Sequence, residues 1–403
     1  MFKLWITERF CLIASRREAF NRDWTPAKFA RFRGILEARC GEPEQFRRSE
    51  TPCFFPDELI ARMAQYGVEM VQQLLENPEY EAASRAEIPE QYCVPNEAPV
   101  PLFVQADFGL DENLEPKLVE IQGFPSLYAY QPVLAEAYRE AFGIDAALSN
   151  FPDSLEAKSY WAILREAIVG AHDPQNVILL EIDPAQQKTR HDFLITEEQV
   201  GVRAVDIRSL RQEGRRLLYP RDGKLVPVHR IYNRTIIDEL QRKGINLPFD
   251  LRDDLDVEWA GHPNWFFRLS KFSLPFLRHP AVPVTYMLND VGPIEEPSRW
   301  VLKPLYSFAG AGVIVGPTCE QIEAIPVGRR RDYILQERVN FRPVIETPAG
   351  LTKVEIRIMY VWTAAGMQHV NTVVRMGRGT QMGVDFNRGQ EWIGASAAFT
   401  ENT

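Results

Sequence analysis

The sequence predicts a mixed fold, part α/β and part α+β, behind a helical N-terminal region. Three observations carry this. The first ninety-odd residues place polar and apolar positions at helical spacing, a strand–helix–strand pattern runs from "NVILLEID" to "VRAVDIRSL", and from 300 onward apolar runs alternate with glycine turns. At 403 residues the chain is too long for one small core. We divide it into a helical region (1–95), a first α+β part (96–150), a small α/β domain (151–228) and a second α+β part (229–403).

In "PDELIARMAQYGVEMVQQLLENP" the apolar positions recur every three to four residues, with Asp57 as the expected start and Pro78 as the expected stop. The proline-rich stretch "VPNEAPVP" marks a boundary. "PLFVQADFGL" and "PKLVEIQGF" read as strands joined by the polar turn "DENLEP". "NVILLEID" is a buried strand, "QKTRHDFLITEEQVG" a helix ended by Gly201, and "VRAVDIRSL" another strand. "RRLLYPRDGKLVPVHRIY" is a hairpin turning at Asp222-Gly223. "LSKFSLPFLRHPAVPVTYML" reads as a helix bearing Lys271, a proline loop and a short strand. "WVLKPL", "GVIVGP", "YILQERV", "VEIRIMYVW" and "HVNTVVRM" complete an antiparallel sheet.

The bulk numbers exclude several functions. A net charge of −9, from 46 Lys plus Arg against 55 Asp plus Glu, argues against a nucleic-acid partner. No apolar run approaches membrane-spanning length, and the first twenty residues carry charges throughout, so neither a membrane helix nor a signal peptide is expected. The five cysteines (11, 40, 53, 93 and 319) form no CxxC pair, which suits a reduced, cytoplasmic protein. The six histidines are scattered and make no zinc motif.

Chemistry concentrates in "RWVLKPLYSFAGAGVIVGP". Glycine backbones approach phosphate oxygens closely, and Lys303 supplies a point charge at the loop mouth. A hairpin turn with an exposed lysine accounts for the same residues, since neither GxxxxGK[ST] nor GxGxxG is present. Upstream, residues two apart on a strand share a face, so Glu120 pairs with Gln122, and Gln105 with Asp107, while Val119 and Ile121 face the other way. Two such strands would bring Asp107, Glu120 and Gln122 around one cation; a polar surface hairpin is the plain alternative. By the same alternation Glu355 and Arg357 share a face, as a charge-stabilising pair or an exposed cross-strand ion pair. Phe124, Tyr128 and Tyr130 follow the strand as pocket lining or core. Arg375, Arg378 and Arg388 would suit an anionic substrate, and "GRRRD" (328–332) is most simply a solvated turn.

The order of elements is more specific than any one of them. Lys271 on a helix, then "VPVTY", "VLKP", the glycine loop and "YILQERV", resembles the ATP-grasp family. Because "VEIQ" precedes the glycine loop, the order resembles the circularly permuted members, the glutathione synthetase and glutathionylspermidine synthase type. The resemblance covers the order of elements from about 100 to 395, but identity only in these short segments. It implies an ATP-grasp fold with a small Rossmann-like α/β substrate domain (151–228), and 229–403 as the core with its glycine-rich lid.

The same resemblance implies roles. Lys271, Lys303, Ser307, Gly310 and Gly312 would hold ATP phosphates. Gln336, Glu337 and Val339 would lie along the adenine, and Asp107, Glu120 and Gln122 would hold Mg²⁺. Arg234, Arg357 and Arg375 would face substrate or transferring phosphoryl. Asp385 and Asn387 are a second, poorer metal match. In this sequence Gln122 replaces the family's asparagine, and Ser307 stands where glutathione synthetases carry a metal-holding glutamate. The implied activity is ATP-dependent carboxylate–amine ligation through an acyl phosphate, on small-molecule substrates, with a homodimer left open. A small-molecule kinase or a non-catalytic nucleotide-binding relative are the alternatives.

Overall fold

The longest alternating segments pair with one another in a seven-stranded sheet. A computed structural model describes residues 14–43, 46–307, 310–380, 382 and 389–401. Its strand order is Cys53–Phe55, Gly394–Glu401, Gly366–Gly377, Lys353–Thr363, Phe103–Leu110 and Pro116–Gln122, with Leu148–Ser149 beside Gly394–Glu401. All neighbours are antiparallel except Cys53–Phe55, which runs parallel to Gly394–Glu401.

Both faces of this sheet are covered. Val104, Ala106, Phe108, Ile356 and Ile358 pack with Leu59, Ile60 and Met63 of the helix Asp57–Leu75. Phe103, Met359, Val361 and Val373 pack with the helices Pro26–Cys40 and Tyr130–Phe142. Gly67 on the first helix lies against Tyr360, whose hydroxyl donates to Ala64 O at 2.9 Å. A side chain at Gly67 would occupy the space of that hydroxyl.

Two smaller sheets matter for function. The strands Val177–Glu181, Arg203–Asp206, Arg230–Asn233 and Glu258–Ala260 are all parallel, in the spatial order Glu258–Ala260, Arg230–Asn233, Val177–Glu181, Arg203–Asp206. The expected hairpin is present as Arg216–Arg221 and Lys224–Val228, with Asp222 and Gly223 both at positive φ (49° and 80°), as a type I′ turn needs. The third unit is antiparallel, in the order Thr285–Met287, Tyr333–Glu337, Trp300–Pro304, Ile314–Val315.

Mixed α and β architecture and the antiparallel C-terminal strands agree with the sequence; several boundaries do not. The region 1–95, expected to be helical, also supplies a strand, Cys53–Phe55, to the central sheet. The small α/β unit does not end at 228, because its sheet takes in Arg230–Asn233 and Glu258–Ala260. The helix that starts at Asp57 ends at Leu75, just before Pro78 as expected, and Pro78 also starts the next helix, Pro78–Ala86. Asn77 caps it, accepting from the backbone N–H groups of Glu79 and Tyr80, and proline at the first helical position loses no hydrogen bond. Lys271 sits on a 3₁₀ turn, Lys271–Phe276, because Pro275 denies the chain an α-helical ladder. The C-terminal strands divide between two sheets. No helix among the described residues is long and apolar enough to cross a membrane.

Gly67→Ala should lower unfolding free energy by about 2 kcal/mol through overpacking against Tyr360. Adding Tyr360→Phe should recover part of the loss, a non-additivity readable in urea denaturation.

Candidate functional site

One face of the central sheet changes character along its strands. Phe103, Met359 and Val361 make it apolar at one end. Two residues further along each strand it carries Gln105, Asp107, Arg357 and Glu355. Antiparallel register places Asp107 opposite both Arg357 and Glu120, Gln105 opposite Gln122, and Glu355 opposite Arg375. Residues of four separate strands thus meet because directly opposed side chains lie within contact range.

The contacts are those of a closed charge cluster. Arg357 donates to Asp107 through both arms of its fork, Nε to Oδ1 at 2.6 Å and Nη2 to Oδ2 at 2.6 Å, and Nη1 reaches Gln105 Oε1 at 3.1 Å. Arg375 Nη2 donates to Asp107 Oδ2 at 2.5 Å and also to Glu355. Lys271 Nζ lies 3.2 Å from Glu120 Oε2, and Arg357 Nη2 lies 3.8 Å from Glu120 Oε1. Burial alone would push the Glu120 carboxyl up, but Lys271, with Arg357, Arg375 and Lys303, holds it below the usual carboxylate range. Burial raises the Glu355 carboxyl against the pull of Arg375, and Asp107 and Glu120 push it the same way.

A strand irregularity lets Lys303 join this cluster. The pairing of Phe103–Leu110 with Pro116–Gln122 shifts register between Asp107 and Phe108, leaving Val119 as the extra residue. Val119 is therefore not turned into the core as strict alternation predicts; Leu118 and Ile121 are. Its carbonyl accepts from Lys303 Nζ at 2.9 Å, and the same ammonium donates to Gln336 Oε1 at 2.6 Å. Burial pushes the Lys303 ammonium down to about 8, with Lys271 adding and Glu120 opposing. Lys271 also donates to Ser307 O at 3.0 Å. Gly123, whose N–H donates to Leu269 O at 2.8 Å, lets the strand end pack tightly under the Lys271 turn, since a Cβ there would stand 2.9 Å from Trp265 O.

The glycine stretch is a hairpin and a mouth at once. Trp300–Pro304 pairs with Ile314–Val315, and Gly310 and Gly312 turn between them at φ 76° and 72°. A Cβ on Gly312 would meet Pro304 Cγ at 2.9 Å. Register sets Val301, Lys303, Gln336 and Val315 on one face of this sheet. Val301 and Val315 are half-buried, while Gln336 is buried and its Nε2 has no hydrogen-bond partner. Glu337 departs from expectation: it pairs with Trp300 and shares the opposite face with Leu335. Val339 is half-buried in the segment that follows.

The carboxyl ends of the parallel strands, where folds of this kind leave a crevice, are a second candidate position. The strand order reverses between Val177–Glu181 and Arg230–Asn233, the position where open α/β sheets leave a gap for ligands. Glu181 ends one strand and Arg234 follows the other, both buried. The Arg234 guanidinium lies 5.3 Å from the Phe124 ring and 5.4 Å from Phe193, with Thr189 Oγ1 at 3.4 Å and Asp192 at 4.0 Å; its Nε and Nη1 have no partner. Burial pushes the Glu181 carboxyl up to about 8 against the pull of Arg234. Phe124 comes two residues after Gln122, so it links this position to the charge cluster.

Of the expected site residues, the fold brings together Lys271, Lys303, Ser307, Asp107, Glu120, Gln122, Arg357 and Arg375, while Arg234 sits at the switch point of the parallel sheet. Tyr128 and Tyr130 are fully buried core residues: the Tyr128 hydroxyl lies between the carbonyls of Val104 and Tyr360, and Tyr130 accepts from Arg48 Nε. Arg378 is held by Glu391 O and Thr347. Asp385, Asn387 and Arg388 lie outside the described residues. Glu181 was missed; its signal is a carboxylate closing the apolar run "VILLE".

Asp107, Glu120 and Gln122 do not fit Mg²⁺, which needs free oxygen ligands. Both Asp107 oxygens are taken by guanidinium groups and Glu120 is paired with Lys271. Gln122 turns its amide nitrogen to Gln105 Oε1 at 2.7 Å. Among the described residues no group of three or more metal-ligating acids, histidines or cysteines is arranged around a common point. No protein-family model matches the chain, and no curated protein matches it in sequence.

Asp107→Asn keeps the volume but leaves Arg357 buried without its counter-charge, and should cost about 3–5 kcal/mol in chemical denaturation. Glu181 gives a pH test. Its folded-state value lies above the ordinary 4.5, so its contribution to stability is complete below 4.5 and is lost as pH rises through about 8. Glu181→Gln should therefore raise Tm over wild type by a few degrees above that range and match wild type in acid, as read by calorimetry.

Proposed function

We propose that the protein binds ATP between the glycine-loop sheet and the central sheet, and uses it to join a small carboxylate to an amine. One observation carries this reading. Lys271 and Lys303, on separate elements, converge beside Glu120 next to the glycine hairpin, the half-buried Val301 and Val315 and the unpartnered Nε2 of Gln336. The valines would take the flat base, Gln336 Nε2 would donate to a base or ribose acceptor, and the two ammonium groups with the backbone of Gly310 and Gly312 would take phosphate oxygens. Arg375, only partly covered at 28% side-chain exposure, and Arg357 would offset charge on the transferring group.

The chemistry is a two-step transfer. A carboxylate oxygen attacks the γ-phosphorus as the bond to the bridging oxygen breaks and ADP leaves. The amine nitrogen then attacks the acyl carbon, phosphate departs with the electron pair of the C–O bond, and the proton lost from nitrogen passes to the departing phosphate or to water. Arg234, with its Nε and Nη1 unpartnered at the switch point of the parallel sheet, would hold a substrate carboxylate. The protein orients the reactants and excludes water; it forms no covalent bond.

A second reading, nucleotide binding without catalysis, is favoured by one observation: the carboxylates of the cluster are all engaged by cations of the chain itself.

ATP at millimolar concentration should raise wild-type Tm, since a ligand present at about 100 times its dissociation constant adds about 2.7 kcal/mol. Lys303→Ala should abolish the shift. No wild-type shift would overturn the nucleotide reading. With amino acids or other amines added, ADP release with unphosphorylated product supports the ligase, phosphorylated product a kinase, and binding without ADP release the non-catalytic reading.

A further inference from the structure

We propose that the Arg357 guanidinium is the resident cation of this site, standing where a divalent metal would otherwise bridge carboxylates and phosphates, and that a nucleoside triphosphate binds here without a divalent metal. This rests on the nucleotide reading above and specifies how its charge is met.

Arg357 is held by the backbone as much as by its own side chain. It is directly opposite Asp107 in the sheet register, and Asp107 is directly opposite Glu120. The guanidinium therefore lies between two acids on adjacent strands, with Asp107 bidentate at 2.6 Å on both arms, Gln105 Oε1 at 3.1 Å and Glu120 at 3.8 Å. Planar fork-to-carboxylate pairing is a strong and directional contact, and both groups are buried, Asp107 at 1% exposure. A metal ion would have to displace it.

The remaining donors give a metal little in exchange. Asp107 Oδ2 also takes Arg375, and Glu355 is clasped by the same arginine. Glu120 holds Lys271. Gln122 and Ser307 supply only a neutral amide and a neutral hydroxyl. The cluster holds four cations (Arg357, Arg375, Lys271, Lys303) against three carboxylates (Asp107, Glu120, Glu355), an excess of positive charge. Such a cluster repels a divalent cation and attracts a polyphosphate.

The test is calorimetric titration of the full chain with ATP in EDTA and in excess Mg²⁺, with electron paramagnetic resonance of Mn²⁺ added to the protein without nucleotide. The expected results are dissociation constants agreeing within about threefold and no protein-bound Mn²⁺ at millimolar concentration. Binding that tightens by about tenfold or more with Mg²⁺ overturns this inference and leaves the nucleotide reading standing. Absence of binding in both conditions overturns both. Bound Mn²⁺ in the free protein overturns the inference alone. Arg357→Gln, which frees Asp107 and Glu120, should gain a Mn²⁺ signal and make ATP binding metal-dependent. If that variant does not fold, the two wild-type measurements still decide.

Discussion

The Asp107–Arg357 pair is the constraint on which the site depends. Two buried ions survive in a protein interior only when each satisfies the other and the surrounding hydrogen bonds are complete. Here the fork of Arg357 uses both Asp107 oxygens and one Gln105 oxygen, and Gln105 is fixed in turn by donating to Ser126 O. Because the two residues are opposed in the register, any slip of Phe103–Leu110 against Lys353–Thr363 would bury an unpaired charge. The pair therefore specifies sheet register as well as site electrostatics.

From that pair the structure extends in two directions. Through Glu120 and the Val119 irregularity it reaches Lys271 and Lys303, and so the glycine hairpin. Through Gln122 and Phe124 it reaches Arg234 and the switch point of the parallel sheet. A buried tie steadies the Lys271 turn from behind: Arg268 is bound by Glu81 and Glu97 and lies 4.2 Å over the Trp265 ring. The outcome is a charged seam between the glycine hairpin and the switch point of the parallel sheet. Such an arrangement suits a bipartite ligand or two ligands that react.

Much of this was legible in the chain. Alternation marked the Phe103–Leu110 and Pro116–Gln122 strands and placed Glu120 beside Gln122 and Gln105 beside Asp107, because side-chain direction on a strand has period two. Glycine at 201 and Asp222-Gly223 marked a helix end and a tight hairpin, because positive φ is local chemistry. Pro78 marked the end of the helix Asp57–Leu75, because proline forbids a helix interior; that it also opens the next helix depends on the capping bonds of Asn77. Val119 was misread because a single inserted residue reverses alternation without changing composition.

By itself, the sequence determined the element types, the turns and the set of charged residues available to a site, since these follow from backbone sterics and periodicity over a few residues. Tertiary structure alone decided which charges meet. Asp107 was open to a metal or a guanidinium, and the register against Lys353–Thr363, set by long-range burial of Ile356 and Ile358, gave it to Arg357. The same long-range packing drew Cys53–Phe55 into the central sheet and Arg230–Asn233 into the parallel one. Partner choice across hundreds of residues is an outcome of total burial and charge closure, which no local pattern encodes.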